Sequence, residues 1–252
     1  MDKNKLEIDK LEEAYMLMDK AESARTKKDA IKYAKEAYKT CNKCFDAVLF
    51  LAKAETNTLK RRKILVDGLT IEKERLTKEG FFEDDNIGAF YGFFETRPYI
   101  RGLYFQAYYY LEEGKISLAK DVFKEILRLN ESDNTGARYL LSAIYAYLED
   151  EKSLLKLYKK YPEQNLSMLV PLFVLYYKLG DDDNAKKYLK LIKKVNPYFI
   201  EYCKDVIMDD KKSNQGYYSI GEPSEVIIFM ENANFLMQTI PYVDDFIIKN
   251  MK

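Results

Sequence analysis

Several groups of residues in this chain have the types and spacing that chemistry uses. Cys41-Asn-Lys-Cys44 has the spacing of a redox or zinc pair. A redox pair needs a strand-to-helix turn, and zinc needs two further ligands. Cys203 is the only other thiol and the chain has no His, so the pair reads as incidental cysteines at a helix junction. Gly180 to Asn184, GDDDN, is dense in oxygen ligands. It lacks the alternating spacing, central Gly and distal bidentate Glu of a calcium loop. Asp182 or Asp183 is instead expected to cap a helix start, where a carboxylate meets free N–H groups. Lys60-Arg61-Arg62-Lys63 could meet a phosphate, but it opens a charged helix and reads as a solvated face. The 22 tyrosines could stack nucleobases. However, Tyr110 and Tyr176 fall on core positions of the repeat set out below, and Tyr33, Tyr139 and Tyr188 on apolar stripes, so packing accounts for them.

The exclusions are as informative. Without His there is no Ser-His or Cys-His nucleophile pair and no imidazole ligand. No phosphate loop, dinucleotide fingerprint or nucleophile elbow occurs. No catalytic, cofactor or metal site is therefore expected, and the chain does not read as an enzyme. Lys plus Arg equals Asp plus Glu at 41 each, which disfavours a protein devoted to neutralising phosphates. The odd cysteine count is no disulfide framework. The charged opening MDKNKLEIDK has no apolar signal core, and the longest apolar run, Met168 to Tyr177, is too short for a bilayer. A cytoplasmic location without membrane contact is expected.

The elements that would position side chains are helices. Proline is absent before Pro98, and self-similarity appears at a period near that of helical-hairpin repeats. Ile100 to Ser132 aligns with Leu166 to Pro197. In each, an apolar helix ends at Gly (Gly114, Gly180) where a positive φ is cheap, and Ala (Ala119, Ala185) follows where two helices approach closely. Pro197 stops the second helix. A middle copy runs from Asn134, and earlier pairs start at Leu11 and Cys44, with Leu59–Lys78 as a second helix. This predicts an all-α, tetratricopeptide-like solenoid of about five antiparallel pairs. The expected organisation is a helical repeat block over 1–78, an irregular aromatic and Gly-rich connection over 79–97, repeats over 98–197, and capping helices over 198–252. In that last part a helix is expected over Tyr198–Met208, a loop over 209–224, a helix from Glu225 to about Met237 capped by Ser224, and a short one over Val243–Ile248. All form one continuous domain, the last helices covering the open end of the core.

The segment NIGAFYGFFETRPYIR, a repeat, and then LNESDNTGARYLL resemble a bacterial tetratricopeptide-repeat family. The motifs stand at Gly88, Tyr91-Gly92, Glu95-Thr96-Arg97-Pro98-Tyr99, Arg101, Leu129-Asn130, Asp133-Asn134, Gly136 and Arg138-Tyr139-Leu140-Leu141. GYYSIGEPSEV (216–226) resembles the same family's segment before its last helix. Glu131 stands where the repeat usually has Pro. The eukaryotic suppressor-of-tumorigenicity-seven proteins are similar at a greater distance. The family is largely uncharacterised, so the resemblance implies a fold and says little of function.

Repeats of this kind line a concave groove with their first helices. The arithmetic of the repeat puts Arg101, Tyr104, Tyr108 and Leu111 there, then Thr135, Arg138, Ser142 and Tyr145, then Ser167, Val170, Val174 and Tyr177, with Phe45, Val48, Ala52 and Glu55 from an earlier pair. Arg forks bind carboxylates and Tyr gives large contact area, so an acidic or C-terminal peptide segment fits. Equally, Arg101 and Arg138 could pair internally, for instance with Glu95 or Asp133, and Glu95, Arg97 and Asn134 fit a structural network. The expected function is a protein-interaction scaffold or adaptor. A peptide-sensing regulator, and a nucleic-acid-binding repeat protein, are the alternatives.

Overall fold

The computed structural model describes residues 3–203 and 219–251, with side chains from residue 8 onward. Among them are thirteen α-helices, two 3-10 turns (Asp84–Asn86 and Phe90–Gly92) and no strand beyond a single bridge between Ala89 and Asn130. The fold is all-α, with helices adjacent in sequence packed against one another in pairs. It falls into two compact units that divide between Thr135 and Gly136.

The first unit holds α1 (Lys3–Glu22), α2 (Lys27–Thr40), α3 (Phe45–Ala54), α4 (Thr58–Lys78), α5 (Arg97–Glu112) and α6 (Ile116–Leu129). Small residues set the first pair. Ala14, Met18 and Ala21 of α1 share one buried cluster with Ala34 and Ala37 of α2, and Ala30, one turn earlier, is buried as well. Thr26 starts α2, its hydroxyl oxygen accepting the N–H of Asp29 at 3.1 Å. Asn57 does the same for α4 through Lys60. Two glycines let α3, α4 and α5 close on one another. A Cβ on Gly68 would fall 2.4 Å from Val48 Cγ1, and one on Gly102 would fall 2.7 Å from the Phe45 ring. Gly114 ends the α5 turn at φ 71°, and Ala119 beyond it is buried, as the spacing predicts.

Residues 79–97 are a packed aromatic knot. Phe82 meets Phe90 and Tyr99 edge to face, and Phe81 meets Phe93 likewise. Buried Thr96 donates its hydroxyl to the Phe90 carbonyl, and the N–H of Glu131 donates to the Gly88 carbonyl at 2.8 Å.

The second unit holds α7 (Ala137–Tyr147), α8 (Glu151–Lys160), α9 (Leu166–Lys178), α10 (Asp182–Val195), α11 (Pro197–Cys203), α12 (Pro223–Met237) and α13 (Val243–Asn250). Asp150, Asn165 and Asp181 each cap the helix that follows through a backbone N–H three residues on. The α10 cap is therefore Asp181, one residue ahead of the expected Asp182 or Asp183. Gly180 has φ 72° and Ala185 is buried, as expected. Pro197 follows the end of α10 and opens α11.

The last helices depart from their expected bounds. The predicted helix over 198–208 is described only to Cys203, and most of the predicted 209–224 loop, with Gly216, Tyr217 and Tyr218 of the motif, lies outside the described residues. Helix α12 starts at Pro223 after an extended Glu222, and Ser224 is not its cap. Helix α12 packs along α7 and α9. The reason is its apolar face: Val226, Phe229, Ala233 and Leu236 are buried, and Ile240, Val243 and Ile247 continue the buried series into α13. Each such side chain removed from water contributes about 1.5–3 kcal/mol, less for alanine.

Candidate functional site

Within unit 1, Arg101, Tyr104 and Tyr108 lie on one face of α5 at i, i+3 and i+7, each partly exposed. Asp46 on α3 takes the Arg101 Nη2 arm at 2.5 Å. Tyr104 packs edge to face on Phe123, and burial, with Asp133 adding, pushes its phenol up to about 12. Phe45, Val48 and Ala52 are buried, because α3 is enclosed by α2, α4 and α5. Of the earlier pair's groove positions only Glu55 reaches solvent, and it accepts the N–H of Asn57.

Within unit 2 the corresponding positions are spent on the fold. Arg138 pairs with Glu163 at 2.8 Å and lies over the Tyr139 ring at 4.1 Å. Tyr139 Oη donates to Glu163 as well, so the three side chains form one cluster. Ser142 is fully buried, and Tyr145 is buried beside it. Pro171 explains the serine. Proline has no N–H, so the Ser167 carbonyl four residues earlier loses its helical donor. The Ser142 hydroxyl, reaching across from α7, sits 2.9 Å from that carbonyl. It also lies 2.8 Å from the Tyr139 carbonyl, which α7 itself already serves. Val170 and Val174 are fully buried, and Tyr177 meets the Phe246 ring of α13 edge to face at 5.2 Å. In this unit α12 packs on α7 and α9, and the side chains of Ser142, Tyr145, Val170 and Val174 are buried.

Both arginines have internal carboxylate partners, Asp46 for Arg101 and Glu163 for Arg138. Of the expected network, Arg97 donates Nε to the Tyr91 carbonyl at 2.8 Å and stacks on Phe94 at 4.2 Å. Glu95 contributes its carbonyl, 3.4 Å from Arg75 Nη2, while its side chain and that of Asn134 face solvent. Thr96, Asn130 and Asp133 are the buried polar members. The basic run is also engaged. Arg61 pairs with Glu112 at 2.7 Å and lies over Tyr109, and Arg62 pairs with Glu113 at 2.8 Å. These contacts bind α4 to the end of α5.

Cys41, Cys44 and Cys203 are buried, and burial pushes Cys44 up to about 11, away from thiolate chemistry. Among the described residues no three His, Cys, Asp or Glu side chains are grouped to hold a metal ion, and no helix is long and apolar enough to cross a membrane. A recess of 320 Å³ between α1, α4 and the start of α5 contains Glu72, Glu79 and Arg75. Arg75 binds Glu72 through two nitrogens and Glu79 through a third contact, so those charges satisfy one another.

Among the described residues an open cleft of 560 Å³ lies between α2 and α4, floored by α3. Ile31, Tyr38, Val48, Leu51, Ile64 and Ile71 make its apolar lining. Ile71 is 46% exposed, so the described residues do not cover the cleft. Sequence reasoning missed it. No local signal marks it, because Ile31 and Ile71 read as ordinary core positions until their neighbours are placed.

No family model matches the chain, and no curated protein matches it in sequence. Among solved structures it is similar to the crystal structure of MamA protein, with 17% identity and a TM-score of 0.48 over 78% of this chain and 97% of that one. It is also similar to a tetratricopeptide repeat protein from Parabacteroides merdae, with 15% identity and a TM-score of 0.47 over 95% of this chain and 79% of that one.

Proposed function

We propose that this chain is a protein-interaction scaffold that holds a protein or peptide segment on its first unit. The carrying observation is the open apolar cleft between α2 and α4, of a size that takes several side chains of a partner. Leaving Ile71 and its neighbours in water is unfavourable, and a docked segment would remove that exposure. The α5 face of Arg101, Tyr104 and Tyr108 is a second contact, since Asp46 leaves the rest of the Arg101 fork for a carboxylate. Arg138, Ser142, Tyr145 and Tyr177 are assigned to the structure of the second unit and not to the partner.

Site-specific photo-crosslinking in the native cell tests this reading. A photoreactive residue in place of Ile71 should give discrete adducts with another protein. One in place of Tyr242, exposed on the second unit, should give none. Adducts from Tyr242 and none from Ile71 or Arg101 would refute it.

A further inference from the structure

The two edges of the cleft carry unequal charge. On the α2 edge Lys27 and Lys35 line the cleft, and Lys28, Lys32 and Lys39 continue the strip behind them. Lys28, Lys32, Lys35 and Lys39 recur at i, i+4, i+7 and i+11, so they form one straight row along α2. Glu36 is the only acid in that strip, and it meets Lys32 at 4.0 Å. Among the described residues Lys27, Lys28, Lys35 and Lys39 have no carboxylate partner. On the other edge, Asp67 is bound by Lys63 at 2.9 Å and Glu55 by the Asn57 N–H. The cleft therefore has an apolar floor, one basic wall and one wall with its acids locally satisfied.

We propose that an acidic amphipathic helix of a partner protein docks in this cleft. Its aliphatic stripe sits on Ile31, Leu51, Ile64 and Ile71, and its carboxylates face the lysine row. This rests on the docking reading above and names its occupant. The shape favours a helix, because two helices wall the cleft and the described residues offer no strand edge for an extended peptide to join. The 14 residues of α2 span about 21 Å, matching roughly four turns of a partner. Charge complementarity fixes the sign and the direction of the wet flank. A nucleic acid suits the site poorly. Phosphates gain nothing from an isoleucine floor, Tyr38 is the one aromatic ring in the lining, and Asp67 and Glu55 stand on the facing rim.

The test uses the full chain and labelled peptides in fluorescence anisotropy. The probe is a helical peptide of about 14 residues, with leucines at i, i+3, i+4 and i+7 and glutamates along one flank. Controls are the same composition permuted to destroy the stripe, and the same peptide with lysine for glutamate. The acidic striped peptide should bind at least about tenfold more tightly than either control, and weaken as salt rises. Ile71→Asp, and separately the combined Lys28→Glu, Lys32→Glu and Lys35→Glu, should each reduce binding about tenfold, and the triple variant should now prefer the lysine peptide. All of these positions are exposed, and circular dichroism melts of each variant serve as the folding control. Equal binding of the permuted peptide, or no effect of the triple reversal, overturns the proposal. So does binding of duplex DNA that the triple reversal abolishes while the peptides fail. If crosslinks form at Ile71 but the acidic peptide does not bind, docking stands and the acidic helix is wrong; if neither occurs, both readings fall.

Discussion

The two units use the same helical-hairpin repeat and end with opposite surfaces. In the second, α9 reads LSMLVPLFVLYYK and is apolar around most of its circumference. Such a helix must be covered on every side. Helices α7, α8, α10 and α12 pack on it, and Phe246 of α13 meets Phe173 and Tyr177. In the first, α2 reads KKDAIKYAKEAYKT. Ala30, Ala34 and Ala37 make a narrow buried edge, lysines take the opposite face, and Ile31 and Tyr38 are left half-buried between them. The width of each helix's apolar stripe decides whether the chain covers its own repeat or leaves it open. The repeat signature does not.

Removing the cover should do the most damage. Phe229 of α12 is almost fully buried and meets Phe199 of α11 edge to face at 6.2 Å. Phe229→Ala should cost about 3–5 kcal/mol in urea denaturation. Hydrogen exchange under native conditions should rise first in α7 and α9. Equal acceleration in α2 to α4 would show that the closure is not a property of the second unit alone.

The polar anchor of that cover comes next. Glu225, buried at the start of α12, accepts from the Leu166 N–H at 2.8 Å, from Asn196 Nδ2 at 2.8 Å and from the Gly221 N–H at 2.8 Å. It thereby joins the first turn of α9, the α10–α11 junction and α12. Glu225→Ala strands three donors and should cost about 3 kcal/mol, with Glu225→Gln recovering part of it. A loss below about 0.5 kcal/mol would mean that the apolar face alone seats α12.

Ser142 gives a smaller and sharper effect. Its hydroxyl serves the carbonyl that Pro171 leaves without a donor, so Ser142→Ala should cost about 1–2 kcal/mol. Pro171→Ala restores the N–H within α9, and in that background the serine change should cost less than half as much. Strict additivity in this double-mutant cycle would return Ser142 to a role outside the fold.

Much of this was legible before any coordinates. Gly114 and Gly180 announced their turns, and Ala119 and Ala185 their close contacts, because only small or permissive residues fit those positions. Side-chain partners were less legible. Arg101 and Arg138 were readable as paired, but Asp46 lies 55 residues from Arg101 and nothing local points to it. Ser142 and Tyr145 sit where the repeat arithmetic places a groove, and no local rule says that α12 returns to fill it. The hint was present in composition: a first helix as apolar as α9 cannot face water. The cleft was illegible for the opposite reason, since an exposed isoleucine such as Ile71 looks like any core residue until its neighbours are placed.

The smallest effect concerns charge and returns to the first unit. Glu113, at the α5–α6 turn, bonds to Lys115, and Arg62 holds its other side from α4. The Lys115 contact, with Arg62 adding, lowers its carboxyl below the ordinary 4.5. A carboxyl lowered in the folded state adds stability at pH values above its unfolded pKa, and that stability disappears as pH falls through the folded one. Its side chain is only 14% exposed, yet the partners are reached by water, so the contribution should be under about 1 kcal/mol. Asp181 in the second unit is lowered as well, by its bonds to Asn184, so the wild-type curve alone cannot separate the two. The difference between wild type and Glu113→Gln can. It should be constant from neutral pH down to about 5 and shrink toward zero below the ordinary 4.5. A difference that persists unchanged at pH about 3 would mean that Glu113 acts through packing and not through its charge.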